Sequence, residues 1–213
     1  FQNLKISSGE ISFNTVMPLS SGFGLSASMA INAAFLLNKA WKLNIPESEL
    51  FLIAHNADVS AMTGLGDVAT QSQGVLCLRL DEENPFQIIS LKKEKFYEGS
   101  LYYKYYDKLS TKNILSDRKI RERINESADA VMKKICGEIE ALEIEKLLDY
   151  SFQFAKEASL IKNEKVSEDI VKIINKGGHA TMIMLGNSVL SNIPLDETYE
   201  EVKISSIKGG LFD

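Results

Sequence analysis

Apolar positions run along this chain in three successive patterns: short strand-like runs, long helical stretches, and short runs again. Residues 4–6 and 11–17 read as two strands around a Ser-Ser-Gly turn, in hairpin fashion. A Gly/Ser-rich turn follows, and then residues 29–41 carry Met29, Ile31, Phe35, Leu36, Leu37 and Trp41 on almost every face. That pattern predicts a buried central helix. Pro46 starts a second helix over residues 47–61, with Leu50, Ile53, Ala54 and Ala57 as its inner stripe. Thr63-Gly64-Leu65-Gly66-Asp67 breaks that helix.

Residues 74–80 and 86–91 form the next strand pair, joined by an acidic turn, and residues 101–106 are an aromatic-rich strand. The stretch 112–176 reads as three helices. Ile120, Ile124, Ala128, Val131 and Ile135 share a face of the first, and Ile144, Leu147, Leu148, Ser151 and Ala155 a face of the second. The third, from Val166 to Asn175, ends at Gly177-Gly178. Strands over 181–185, 188–190 and 201–205 close the chain. Strands at both ends with helices between predict an α+β protein of two lobes.

Composition narrows the partners. A 45% apolar and 25% charged chain is an ordinary soluble globular one. The net charge of −5, with no long block of Lys and Arg, gives no nucleic-acid footprint. Two cysteines far apart, Cys77 and Cys136, and two histidines do not make a zinc site. Cys77 reads as a small buried thiol. No signal peptide is visible and no apolar run approaches a membrane span, so a cytoplasmic protein is expected. Phe1 opens the chain without an initiator methionine, in what reads as the middle of a domain, so N-terminal strands are expected to be missing.

Three segments carry candidate chemistry. Pro18-Leu-Ser-Ser21-Gly22-Phe23-Gly24-Leu25-Ser26-Ala27-Ser28 joins a strand to a helix start, where free backbone N–H groups and the positive dipole end suit a phosphate. It lacks the Lys of a P-loop and the spacing of the dinucleotide fingerprint. On spacing alone it is equally a glycine-rich turn with serine caps. Asp67, just after a Gly64-x-Gly66 turn, can face a cleft and orient or deprotonate a hydroxyl, while Asp58 near a helix end can hold Mg²⁺. Both also fit a turn and a surface-helix aspartate. Ser110, Thr111 and Lys112 before a helix are either caps or partners for a substrate carboxylate. His179 and Thr181, beside Gly177-Gly178, are a turn histidine and a strand threonine or further substrate contacts.

Taken in order, these segments resemble the GHMP kinases. Pro18-x-x-x-Gly22-Phe-Gly24-Leu-Ser26-Ala27 is similar to their second motif, with Phe23 and Leu25 in place of the usual Leu and first Ser. Together with Gly64-Leu-Gly66-Asp67-Val68 followed by Gln71, then Leu109-Ser-Thr-Lys112, then Thr181-Met-x-Met-Leu-Gly186-Asn, the series resembles the archaeal pantoate kinase family over about residues 10–190. The third motif is poorer in glycine than in GHMP kinases at large.

The resemblance implies a two-lobed fold, with a ribosomal-protein-like ATP-binding lobe, in part, over residues 1–95 and a ferredoxin-like C-terminal substrate lobe over residues 96–213. It implies ATP and Mg²⁺ as cofactors and phosphorylation of (R)-pantoate on the way to coenzyme A. Pro18 and Ser21 to Ser28 would line the nucleotide site, and Ser26 and Asp58 would sit at Mg²⁺. Asp67 would be the catalytic base, and Gly64, Gly66, Ser110, Thr111, Lys112, His179 and Thr181 would face the substrate. A homodimer is the default assembly. The alternatives are a mevalonate- or phosphomevalonate-type kinase of the same fold, or an inactive nucleotide-binding relative.

Overall fold

The computed structural model describes residues 10–64, 66–79, 84–91, 99–204 and 209, without the side chains of residues 112 and 113. The first expected strand, residues 4–6, lies outside them. Residues 11–17 are irregular rather than extended into a strand. Their Ile11, Phe13 and Val16 are exposed, and among the described residues no strand pairs with them.

Three helices follow: α1 (Leu25–Trp41), α2 (Glu47–Ser60) and α3 (Asp67–Gln73). They share a small core of Ala27, Ile31, Phe51, Ala54 and Val68. Helix α1 is buried along one stripe only, Ala27, Ile31 and Ala34, while Leu36 and Trp41 reach the surface. The all-round apolar pattern of this helix thus exceeds what the described residues cover. Helix α3, for which the sequence pattern predicts no element, is pinned by Val68 and Ala69, both fully buried.

Strands β1 (Cys77–Arg79) and β2 (Ile88–Ser90) form an antiparallel pair. Cys77 is half-buried within it and burial pushes its thiol pKa up. Next come β3 (Leu101–Asp107), α4 (Thr111–Ser116), α5 (Arg118–Gly137), a 3₁₀ turn at Ile139–Ala141, α6 (Ile144–Glu157) and α7 (Glu164–Asn175). Then β4 (Ala180–Met182), β5 (Asn187–Ser191) and β6 (Glu200–Val202) complete an antiparallel sheet in the order β4-β5-β3-β6. A bulge between Tyr105 and Asp107 lets β3 leave its partner β5 and turn towards α4.

Helices α5 and α7 carry their own caps: Asp117 accepts from the N–H groups of Lys119 and Ile120, and Asn163 from those of Lys165 and Val166. Helix α7 sinks Val166, Ile170 and Ile173 against Ala180, Met182 and Val189 of the sheet. Each such side chain contributes about 2–3 kcal/mol by leaving water. Asp169, on the same buried face, accepts hydrogen bonds from Tyr106 and Tyr199 and pairs with Lys104 at 3.7 Å. Burial opposes its charge, but these donors offset that and hold its pKa below the usual range. A third cluster, Leu91, Val131, Ile135 and Leu142, joins α5 to the β1–β2 pair. The chain is therefore a mixed helix and sheet protein, and among the described residues no helix is long and apolar enough to cross a membrane.

Candidate active site

A cleft of about 720 Å³ opens where the glycine-rich turn meets α2, α3 and α4. Its lining includes Ser21, Gly22, Phe23, Gly24, Leu25 and Ser26 from the turn, Asp58 from α2, and Gly64, Gly66 and Asp67 from the next turn. Thr111, Leu115 and Ile124 close one side, and Met184 and Leu185 another.

The turn is held from below by the sheet. The Ser188 hydroxyl donates to the Ser21 carbonyl at 2.8 Å, and the Leu109 N–H donates to the Ser20 carbonyl at 3.1 Å. Ser20 itself is left-handed, at φ 64°, a conformation that costs energy unless neighbours impose it. Gly22 and Gly24 are left-handed too, at φ 91° and 64°. At Gly22 a Cβ would stand 2.9 Å from the Met184 carbonyl, so only glycine brings the turn this close to the segment after β4. Phe23 packs edge-on against Tyr103 of β3, with ring centroids 5.0 Å apart.

Gly24 caps α1 without any side-chain hydrogen bond, in contrast to Asp117 and Asn163. Among the described residues no side chain caps the first-turn N–H groups of α1, and Gly24, Leu25 and Ser26 line the cleft. The Ser21 hydroxyl is 1% exposed and has no hydrogen-bond partner among the described residues. A buried hydroxyl left without a partner beside uncapped amides is the chemistry of an anion-binding cradle.

The two carboxylates converge on Gly64. A Cβ there would stand 2.5 Å from Asp58 Oδ2 and 3.2 Å from Asp67 Oδ2. The Thr63 hydroxyl donates to Asp58 Oδ1 at 2.6 Å and fixes that buried side chain. Burial first, and the Asp58 charge second, push the Asp67 carboxyl up to about 6. Among the described residues no group of three or more His, Cys, Asp and Glu forms a protein-only metal cage. A pair of carboxylates is the donor set of a Mg²⁺ ion that takes its other ligands from phosphates and water.

The structure gathers much of the expected site and leaves some of it elsewhere. Ser21 to Ser26, Asp58, Gly64, Gly66, Asp67 and Thr111 all line the cleft. Ala27 is buried in the core behind it, and the Ser28 hydroxyl donates to Gln71 rather than towards the cleft. Pro18 stands before the turn and is not part of the lining. Ser110 precedes α4, and the Lys112 side chain lies outside the described residues.

His179 is set apart at the start of β4, with its ring on Asp149 at 2.8 Å and its N–H on Asn192. Thr181 is buried in β4 with its hydroxyl unpartnered among the described residues. Two neighbours carried no role in the sequence reading. His55 lies one turn before Asp58 on α2, and its pKa is lowered by burial and by the Arg79 charge, against a raising effect of Asp58. Arg79 on β1 places a guanidinium nitrogen 3.9 Å from where a Gly66 Cβ would be. The i, i+3 spacing of His55 and Asp58 was visible, but the approach of a strand arginine was not.

A glycine-rich helix start and a pair of carboxylates around one cleft suit the small-molecule kinases of GHMP type, and residues 1–74 match the family model for the GHMP kinases N terminal domain. Over 198 residues the chain is 30% identical to the pantoate kinase of Methanocaldococcus jannaschii, covering 90% of this chain and 67% of that one. It is 22% identical over 175 residues to the pantoate kinase of Methanospirillum hungatei JF-1, covering 82% and 56%. The chain belongs to the pantoate kinase family of the GHMP kinases. A solved structure described as a phosphotransferase related to the CoA biosynthesis pathway shares the fold, with a TM-score of 0.73 at 21% identity, over 91% of this chain and 66% of that one. The chain thus spans between about half and two thirds of the length of these relatives.

Proposed function

We propose that the protein transfers the γ-phosphoryl group of ATP to the primary hydroxyl of (R)-pantoate, giving 4-phosphopantoate and ADP for coenzyme A synthesis. The observation that carries this reading is the convergence of Asp58 and Asp67 on Gly64, opposite the uncapped start of α1. The pantoate kinases among its relatives supply the substrate. Residues 1–95 would form the nucleotide lobe and 96–213 the substrate lobe of a cytoplasmic enzyme.

The residues divide the work. Gly22 and Gly24 let the backbone approach, and the first-turn amides of α1 with the Ser21 and Ser26 hydroxyls bind phosphate oxygens. Asp58, held by Thr63, and Ser26 would hold Mg²⁺, which when bound neutralises charge on the transferring group. Asp67 orients the acceptor hydroxyl and takes its proton. Met184, Leu185, Leu115 and Ile124 exclude water from that side of the cleft.

Ionised Asp67 is the reactive form, so activity is expected to rise with pH through about 6, where this carboxyl titrates. An unperturbed aspartate would give that rise near pH 4 instead. A pH profile of kcat/KM with no acid limb would remove Asp67 from the role of base, and a limb near 4 would show that its carboxyl is not raised.

The substrate carboxylate needs a cation or hydroxyls. Thr111 lines the cleft and Arg79 stands behind Gly66. Arg79→Ala is expected to raise KM for the acid acceptor about 10–100-fold while kcat changes less, in line with a charge-assisted contact. An unchanged KM would place the carboxylate elsewhere.

The overall reading is tested by offering MgATP with pantoate, mevalonate or homoserine to the purified protein. Phosphorylation of pantoate alone supports it. Preference for mevalonate would move the protein to another branch of the superfamily. ATP binding with no acceptor phosphorylated would make it an inactive relative.

A further inference from the structure

Gln71 ties the two halves of the site together, and it belongs to neither. Its side-chain amide donates to the Gly24 carbonyl at 3.0 Å, and its side-chain carbonyl accepts the Ser28 hydroxyl at 2.8 Å. The same Gly24 carbonyl accepts the Ser28 N–H at 3.1 Å, which is the first backbone hydrogen bond of α1. One side chain thus grips the opening turn of α1 at both its carbonyl and its hydroxyl. At its other end, Gln71 stands one turn beyond Asp67 on α3, and a Cβ on Gly24 would meet Gln71 Nε2 at 2.9 Å and Asp67 Cγ at 3.2 Å. The main chain of Gln71 is itself anchored, since the Gly209 N–H donates to its carbonyl at 2.8 Å.

Both polar ends of Gln71 are therefore spent on α1. Helix α3 has a single well-buried face, Val68, Ala69 and Ser72, and seven residues. So short a helix holds its carboxylate at a fixed distance from the phosphate cradle only if something ties the two together. We infer that Gln71 is a positioning residue for phosphoryl transfer: its amide locks the start of α1 to α3 and so sets the distance between the cradle and Asp67. This rests on the function proposed above, but the lock itself is a property of the free protein.

The test compares the wild type with Gln71→Met and Gln71→Glu, using amide exchange of the free protein by NMR alongside steady-state kinetics. Methionine keeps the length and removes both bonds. Glutamate keeps an acceptor for Ser28 and forfeits the donor to Gly24. In both variants the Ser28 amide is expected to exchange about 10-fold faster, the equivalent of one net hydrogen bond, while amides of α7 keep their rates. In both, kcat is expected to fall about 10–100-fold with KM for ATP changed less than 3-fold, as for a loss felt mainly in the transition state. Unchanged Ser28 exchange in Gln71→Met overturns the lock, and faster exchange with undiminished kcat overturns the positioning role. Wild-type exchange in Gln71→Glu would show that the Ser28 bond, not the amide to Gly24, does the tying, against the inference. If the wild type phosphorylates no pantoate, the proposed function fails on that result, and the exchange rates alone decide the lock.

Discussion

Asp67→Asn is expected to lower kcat by about 10³-fold or more, with ATP affinity nearly unchanged, while making the protein more stable. The two effects share one cause. Asp67 is a carboxylate that burial and the Asp58 charge push up to about 6, so in its ionised form it is held where the fold disfavours it. The sign follows from linkage: with a folded pKa above the unfolded 3.8, the fold prefers the protonated form. Stability from this group is therefore fully present below pH 4 and lost as the pH rises through about 6. Asparagine removes the charge and keeps the shape, so at pH 7.5 it should add about 1–2 kcal/mol, the order of magnitude of the shift reduced for partial exposure. Kinetics and denaturant melts of the same preparation check both halves. A variant that is inactive but also less stable would mean that Asp67 makes structural contacts the present geometry does not contain.

Gly186→Ala should cost nearly as much activity by a different route. A Cβ on Gly186 would overlap the Ser21 carbonyl and stand 2.7 Å from the Gly22 nitrogen, all of it backbone that cannot rotate away. The Ser20–Gly22 segment is also fixed by Leu109 and by Ser188 in the adjoining strand β5, so the added methyl must push the whole cradle off the sheet. Overpacking of this kind costs typically 1–3 kcal/mol, and more where only backbone can move. We expect ATP affinity to fall at least about 10-fold and kcat about 100-fold, since misplacing a cradle by 1 Å has that effect on rate. Titration calorimetry with a non-hydrolysable ATP analogue reads the first and a coupled assay the second. Wild-type affinity in Gly186→Ala would show that the cradle tolerates lifting from β5. This glycine sits in the same motif as Thr181, yet its role is contact with the phosphate turn, whereas Thr181 is buried in the strand.

The two predictions mark where the sequence was informative. Asp67 and the turn from Ser21 to Ser26 stood out as candidates through their glycines and a carboxylate after a Gly-x-Gly turn, and the structure brings both to one cleft. The helices α5, α6 and α7 were legible from periodicity, because each hides one stripe on a neighbour. Helix α3 was not: seven residues are too few to show a period, and its buried face is set by Val68 entering the core that α1 and α2 share. Residues 11–17 are irregular instead of a strand, since among the described residues nothing pairs with them and Ile11, Phe13 and Val16 stay exposed.

The sequence by itself determined the family, the order of the elements and the residue types able to handle phosphate and protons. These are local facts, carried by a few adjacent residues at a time. Only the tertiary structure decided that Asp58 and Asp67 converge on Gly64, that Arg79 stands behind Gly66, and that Gln71 fastens one helix to another. Those are relations between segments distant in the chain. They are set by how the cores of α1–α3 and of the sheet pack, and no local pattern of residues encodes such a distance.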